Sequence, residues 1–213
     1  MKFTPIDRNN WNRKDYFEHY YQNIPCTYSM TVKLEITALK QQNRHLYSTL
    51  LFCLTQIINR HREFRTCFNS EGTLGFFDEM LPSYTVFNPE TETFTSLWTS
   101  ETKDYDTFYQ AYKKDVATFG KNQGLIGKPD MPENVFNVSM IPWASFEGFN
   151  LNLQKGYDYL LPIFTFGKYY KKNEKYWIPL SIQVHHSVCD GFHTCRLISE
   201  LQEMLYLKTP FSF

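Results

Sequence analysis

Leu180-Ser181-Ile182-Gln183-Val184-His185-His186-Ser187-Val188-Cys189-Asp190-Gly191 is the stretch on which the reading of this 213-residue chain turns. Its first half alternates, with Leu180, Ile182 and Val184 on one face and Ser181, Gln183 and His185 on the other, the period of a half-buried strand. Continued one step, that register carries His186 onto the apolar face. An imidazole aimed into a packed interior has either found fixed hydrogen-bond partners or lines a cavity. Asp190-Gly191 is a turn signal, and over 192–207 the apolar residues Leu197, Leu201, Met204 and Leu205 recur at helical spacing. Two adjacent histidines therefore stand where a strand gives way to a helix, with a carboxylate four residues after the second.

Upstream of this stretch, Tyr28, Met30, Val32, Leu34 and Ile36 alternate with polar residues and predict the clearest strand of the chain. Leu46, Leu50, Cys53, Leu54, Ile57 and Ile58 predict a helix over 43–60. Segments 64–68 and 73–77 flank Asn69-Ser70-Glu71-Gly72 as a short hairpin. Further strands are predicted at 84–87, 93–98, 135–141, 159–166 and 176–186, and helices at 104–119 and, capped by Asn12, at 12–21. The stretch 120–133 is rich in Gly and Pro and reads as loop, with Gly124, Gly127 and Lys128 as loop composition. Strands outnumber helices and are interspersed with them, which predicts an α/β fold, a two-layer sandwich with a mixed β-sheet. Neither repeat nor linker divides the chain, so residues 1–213 are read as a single domain.

Composition bounds the function. Apolar residues make up 42% of the chain, enough for a sizeable core, and 19 Phe with 15 Tyr suit thick packing layers or a cavity walled by rings. Lys plus Arg and Asp plus Glu balance at 22 each, so no global field draws nucleic acid or an anionic membrane, and neither is expected as a partner. No apolar run approaches the roughly 20 residues that cross a bilayer, and the N-terminus has no signal-peptide core; a soluble cytoplasmic protein is expected. The five cysteines lack CxxC spacing, and reduced, mostly buried thiols are expected. Glycine-rich phosphate loops are absent.

For His186 the residues alone leave three readings: an imidazole satisfied in a structural turn, a metal ligand with His185, Asp190 and His193, or a base anchored by the turn beyond it. Adjacent strand residues point to opposite faces, so the two imidazoles cannot easily share one ion, and no HExxH or cysteine pair accompanies them. No metal is predicted.

The HHxxxDG pattern of His185 to Gly191 is shared by dihydrolipoamide acyltransferases and peptide-synthetase condensation domains, but further stretches narrow the choice. Asn10-Trp11 through Phe17-Glu18, Glu90-Thr91-Glu92-Thr93-Phe94, Glu133-Asn134 to Trp143 with Asn137, Ser139 and Pro142, Phe149-Asn150-Leu151-Asn152, Pro162 to Tyr169 and Gln183 to His193 together resemble the chloramphenicol acetyltransferases, in family order along essentially the whole chain. The resemblance implies a homotrimer with active sites between subunits. It implies transfer of the acetyl group of acetyl-CoA, a co-substrate and not a permanently bound cofactor, to the 3-hydroxyl of chloramphenicol in a ternary complex, giving antibiotic resistance. His186 looks like the general base, a role that suits imidazole because the free group titrates close to neutrality. Its tautomer is expected to be fixed by its own backbone carbonyl. Ser139 resembles the donor to the oxyanion of the tetrahedral intermediate, and Thr165 the residue that positions a water there. Asp190 resembles a structural carboxylate paired with Arg13. Tyr20, Ile24, Cys26, Tyr28, Phe149 and Leu151 match the family's drug pocket, and Lys168 and Tyr169 are expected to contact CoA. The rival readings are an acyltransferase of the same architecture for another small hydroxylated acceptor, and a non-catalytic trimeric small-molecule binder.

Overall fold

The computed structural model describes residues 1–42, 44–100, 104–152 and 158–207. Among them a small antiparallel sheet joins β1 (Phe3–Pro5), β3 (Thr66–Phe68) and β4 (Leu74–Phe77) in the order β1-β4-β3. The large sheet contains β2 (Thr27–Glu35), β5 (Leu81–Asn88), β6 (Thr93–Trp98), β7 (Val135–Met140), β8 (Ile163–Phe166), β9 (Tyr170–Lys172) and β10 (Lys175–His185). Its order is β2-β10-β8-β7-β5-β6, with β9 also paired to β10. The β5–β7 and β7–β8 pairs are parallel and the others antiparallel, so the sheet is mixed as the sequence predicts.

Five α-helices accompany the strands among the described residues: α1 (Lys14–Glu18), α2 (Thr37–Gln41), α3 (Leu46–Arg60), α4 (Tyr105–Phe119) and α5 (Gly191–Tyr206). Helix α3 touches α4, α5 and β5, and α5 touches β2, which makes the second layer. The apolar rows of the sheet meet this layer: Leu180 lies opposite Phe166 and Ile182 opposite Phe164, and all four are fully buried, as are Leu50, Leu54 and Ile57 of α3. Each such side chain contributes about 1.5–3 kcal/mol by leaving water. A one-residue slip of β10 would turn its polar row into this core, so the register is strongly specified.

Several boundaries differ from expectation for local reasons. The first helix begins at Lys14, and its N-cap is Arg13, without a side-chain cap, in place of Asn12. After Glu18 it widens into a π-helical turn, His19–Asn23, closed by Ile24 N–H on the His19 carbonyl (2.8 Å). Helix α3 starts after His45, whose Nδ1 accepts from Ser48 N–H at 3.3 Å. Cys53, Cys67 and Cys189 are buried, Cys26 is half-buried and Cys195 is exposed. Most importantly, β10 stops at His185, so His186 belongs to a turn and does not continue the apolar face. The supposedly solvated row of β10 is covered: Ser181, Gln183 and His185 are all buried. Ser181 Oγ donates to the Phe149 carbonyl (2.6 Å), and Leu151 N–H donates to Gln183 Oε1 (3.0 Å), laying segment 149–151 across that face.

Candidate active site

The turn after β10 is held from every side. His186 N–H donates to the Cys26 carbonyl (2.9 Å), just beyond the last β2–β10 pair, and the N–H groups of Val188 and Cys189 both reach back to the His185 carbonyl (3.2 and 3.1 Å). Arg13 then grips the outside. Its Nη1 and Nη2 donate to the two oxygens of Asp190 (2.6 and 2.9 Å), Nη2 also to the His186 carbonyl (3.3 Å), and Nε to the Ser187 carbonyl (3.3 Å). This bidentate fork holds the Asp190 carboxyl below the usual carboxylate range, against the opposing effect of burial. Asp190 is the N-cap of α5, and its N–H donates to His193 Nδ1 (2.9 Å). His193, offered by the sequence only as a metal ligand, thus takes the N3 place of a capping box. The spacing Asp-x-x-His was the available signal.

The imidazole of His186 lies flat on Tyr20, with ring centroids 3.9 Å apart and planes within 10°, and meets Tyr28 edge-on at 5.4 Å. The Tyr28 hydroxyl shares a hydrogen bond with Thr194 Oγ1 (2.7 Å), and burial raises its pKa, so this phenol stays neutral beside the imidazole. Nδ1 of His186 is enclosed, 3.3 Å from Asp190 Oδ1 but without hydrogen-bond geometry, while the side chain as a whole keeps 29% exposure. The expected contact of the ring with its own carbonyl is not made: Nδ1 has no hydrogen-bond partner, and that carbonyl accepts from Arg13.

A second cluster lies elsewhere on the sheet. Ser139 pairs across β7–β8 with Thr165, their hydroxyls 3.1 Å apart, and Thr165 pairs with Ser181 of β10. Thr165 is buried and Ser139 half-buried. Beside Ser139 opens an apolar cavity of about 500 Å³ lined by Tyr47, Phe87, Tyr112, Met140, Pro142 and Trp143.

The chain therefore brings together Arg13, Tyr20, Cys26, Tyr28, His186 and Asp190. Separately it brings together Ser139 and Thr165, and Phe149 and Leu151 over Ser181 and Gln183. Ile24 is exposed at the end of the π-helical turn. Lys168 N–H donates to the Ala144 carbonyl (2.8 Å), and Tyr169 receives Lys40, whose Nζ lies 4.4 Å from the ring. From Ser181, His186 is five residues along the chain and Ser139 two strands across, which at about 3.3 Å per residue and 4.8 Å per strand separates Ser139 from His186 by roughly 19 Å. The imidazole and the hydroxyl pair do not meet within one chain. Ser187, which binds His185, and Ser181 and Gln183, which hold 149–151, are site-supporting residues that alternation alone assigned to a solvated face or left unread.

Comparison with known proteins bears on the family of the chain. The family model described as Chloramphenicol acetyltransferase matches residues 1–202. A chloramphenicol acetyltransferase from Campylobacter coli is 65% identical over 205 residues, covering 96% of this chain and 99% of that protein. One from Clostridium perfringens is 58% identical, with the same 96% and 99% coverage. A solved chloramphenicol acetyltransferase shares the fold, with a TM-score of 0.83 at 20% identity, covering 96% of this chain and all of the other. Motif, fold and relatives coincide over nearly the full length, and the chain belongs to the chloramphenicol acetyltransferase family.

Proposed function

We propose that this protein transfers acetyl from acetyl-CoA to the 3-hydroxyl of chloramphenicol and so confers resistance to the drug. The observation that carries the mechanism is the clamped, part-exposed imidazole of His186. With Nδ1 enclosed beside Asp190, Nε2 is the nitrogen left to accept the hydroxyl proton. The drug oxygen attacks the thioester carbonyl, Ser139 donates to the resulting oxyanion, and Thr165 positions a water beside it. Collapse expels the CoA thiolate, which recovers the proton from His186. Both substrates are present together, so no acyl-enzyme forms. Tyr20, Ile24, Cys26, Tyr28, Phe149 and Leu151 wall the drug pocket, a mostly apolar set suited to an uncharged aromatic acceptor. The apolar cavity beside Ser139 is suited to the pantetheine arm, and Lys168 with Tyr169 to the rest of CoA.

The working form is a homotrimer of a single-domain subunit, acting in the cytoplasm. Among the described residues no helix is long and apolar enough to cross a membrane. The roughly 19 Å between His186 and Ser139 in one chain requires that a neighbouring copy supply one of them, if base and oxyanion donor are to serve one reacting carbon. CoA thiol release that depends on chloramphenicol tests the activity; release only with other alcohols, or drug binding without release, would refute it. Refolding an equal mixture of His186→Ala and Ser139→Ala chains tests the sharing. Hybrid trimers should regain activity that neither parent has, and no recovery would mean that each chain builds its own site.

A further inference from the structure

The first histidine of the pair has no part in the reaction just described, yet it is the more buried of the two. His185 is 1% exposed, and its Nδ1 faces both the backbone N–H (3.2 Å) and the hydroxyl (2.7 Å) of Ser187. A backbone N–H can only donate, so Nδ1 carries no proton and the ring holds its proton on Nε2. Nε2 is enclosed and has no hydrogen-bond partner. A polar ring left half unsatisfied in an interior is a burden that an apolar residue of similar size would avoid, and what the imidazole supplies in return is the acceptor at Nδ1. That acceptor spans from residue 185 to the N–H of residue 187, as the side chain of an Asx-turn does, and folds the chain around the residue between them. From the opposite side Arg13 takes the carbonyls of His186 and Ser187, while the Cys26 carbonyl takes the His186 N–H.

We propose that His185 is a positioning residue for His186: through Nδ1 it holds Ser187 in the tight turn that presents the second imidazole to substrate, and it touches no substrate itself. This rests on the reading of His186 as the base. Burial depresses the His185 pKa to about 4, so near neutral pH the ring is uncharged, with Nδ1 free to accept.

Three variants separate this role from mere packing. His185→Phe keeps a ring but no acceptor, His185→Asn keeps an acceptor for the Ser187 N–H but no ring, and Ser187→Ala removes only the hydroxyl. The Phe variant should lower kcat by roughly 100-fold, with KM for both substrates within about threefold, the scale of loss set by a misplaced reacting group. The Asn variant should return to within about tenfold of the parent, and Ser187→Ala should stay closer still, because the backbone N–H remains. Unchanged kcat in the Phe variant, or an Asn variant no better than the Phe one, overturns the proposal. If the Phe variant does not fold, nitrogen NMR of the imidazoles in the unsubstituted protein decides it: an unprotonated Nδ1 at His185 is expected, and a proton there overturns it. Absence of drug-dependent CoA release in the unsubstituted protein would count against the base assignment, whereas the NMR result bears on the His185 turn alone.

Discussion

Two part-buried ion pairs serve different ends in this molecule. Arg13–Asp190 and Lys128–Asp115 both join side chains that are mostly withdrawn from water, at 2.6 and 2.8 Å. Arg13 spends all its bonds on one turn, reaching His186, Ser187 and Asp190. Lys128 joins distant pieces: its ammonium meets Asp115 of α4, the Trp98 carbonyl at the end of β6 (3.0 Å) and the Trp98 ring (3.8 Å). Asp115 in turn accepts from Thr99 Oγ1 (2.7 Å), which shares a hydrogen bond with the Tyr84 hydroxyl. A planar fork orients a short segment, whereas a point charge fastens segments together. The first pair is built for aim and the second for cohesion.

Four experiments would break or sharpen that contrast. The largest effect is expected for Arg13→Met, which leaves Asp190 without its partner and frees the His186 turn: turnover should fall roughly 100-fold, and the melting temperature should also fall. A folded variant with parental kcat in the CoA-release assay would show that the fork does not aim the base. Lys128→Met should cost about 3 kcal/mol of stability by stranding Asp115, with kcat per folded molecule within about twofold of the parent. Denaturant unfolding with parallel kinetics checks this, and a loss of turnover like that of Arg13→Met would erase the distinction.

Acid should act on the turn as well. The folded pKa of His185 lies near 4, below that of an unfolded imidazole, so from about pH 6.5 down to about 4 the unfolded state binds the extra proton and stability falls by on the order of 3 kcal/mol. Above pH 6.5 this contribution is fully present. In unfolding curves measured across that window His185→Asn should flatten the decline; an unchanged decline in that variant would place the acid sensitivity elsewhere. The smallest effect belongs to the double replacement of Lys128 by Met and Asp115 by Leu, which removes both charges and should recover stability to within about 1 kcal/mol of the parent. Failure to recover would mean that the hydrogen bonds of Thr99 and Lys128, more than the stranded charge, account for the loss.

The sequence was most legible where one pattern governs one surface. Period-two alternation in β2 and β10 and the apolar stripe of α3 gave the sheet-and-helix layers, because the core answers directly to side-chain polarity. Alternation failed for Ser181, Gln183 and His185, since it cannot show that backbone at 149–151 returns to cover a polar row. Lys128 was read as loop composition because Asp115, thirteen residues earlier, sits on a different element. The Arg13–Asp190 pair spans 177 residues and was accessible only through resemblance to the family, and the geometry confirms the contact. The short strands β1 and β9 carry too few residues for any period to register.

The wide turn at His19–Asn23 has a consequence for how freely this protein can vary. Tyr20 supplies the ring on which His186 lies, Cys26 supplies the carbonyl that holds the His186 backbone, and the Cys26 N–H closes onto the Tyr20 carbonyl at 3.3 Å. The seven residues from one to the other set the spacing between the ring that stacks on the imidazole and the carbonyl that holds its backbone. Many side chains among them can change without altering that spacing, but gaining or losing a single residue would reset it, so this segment should tolerate drift in composition and resist drift in length.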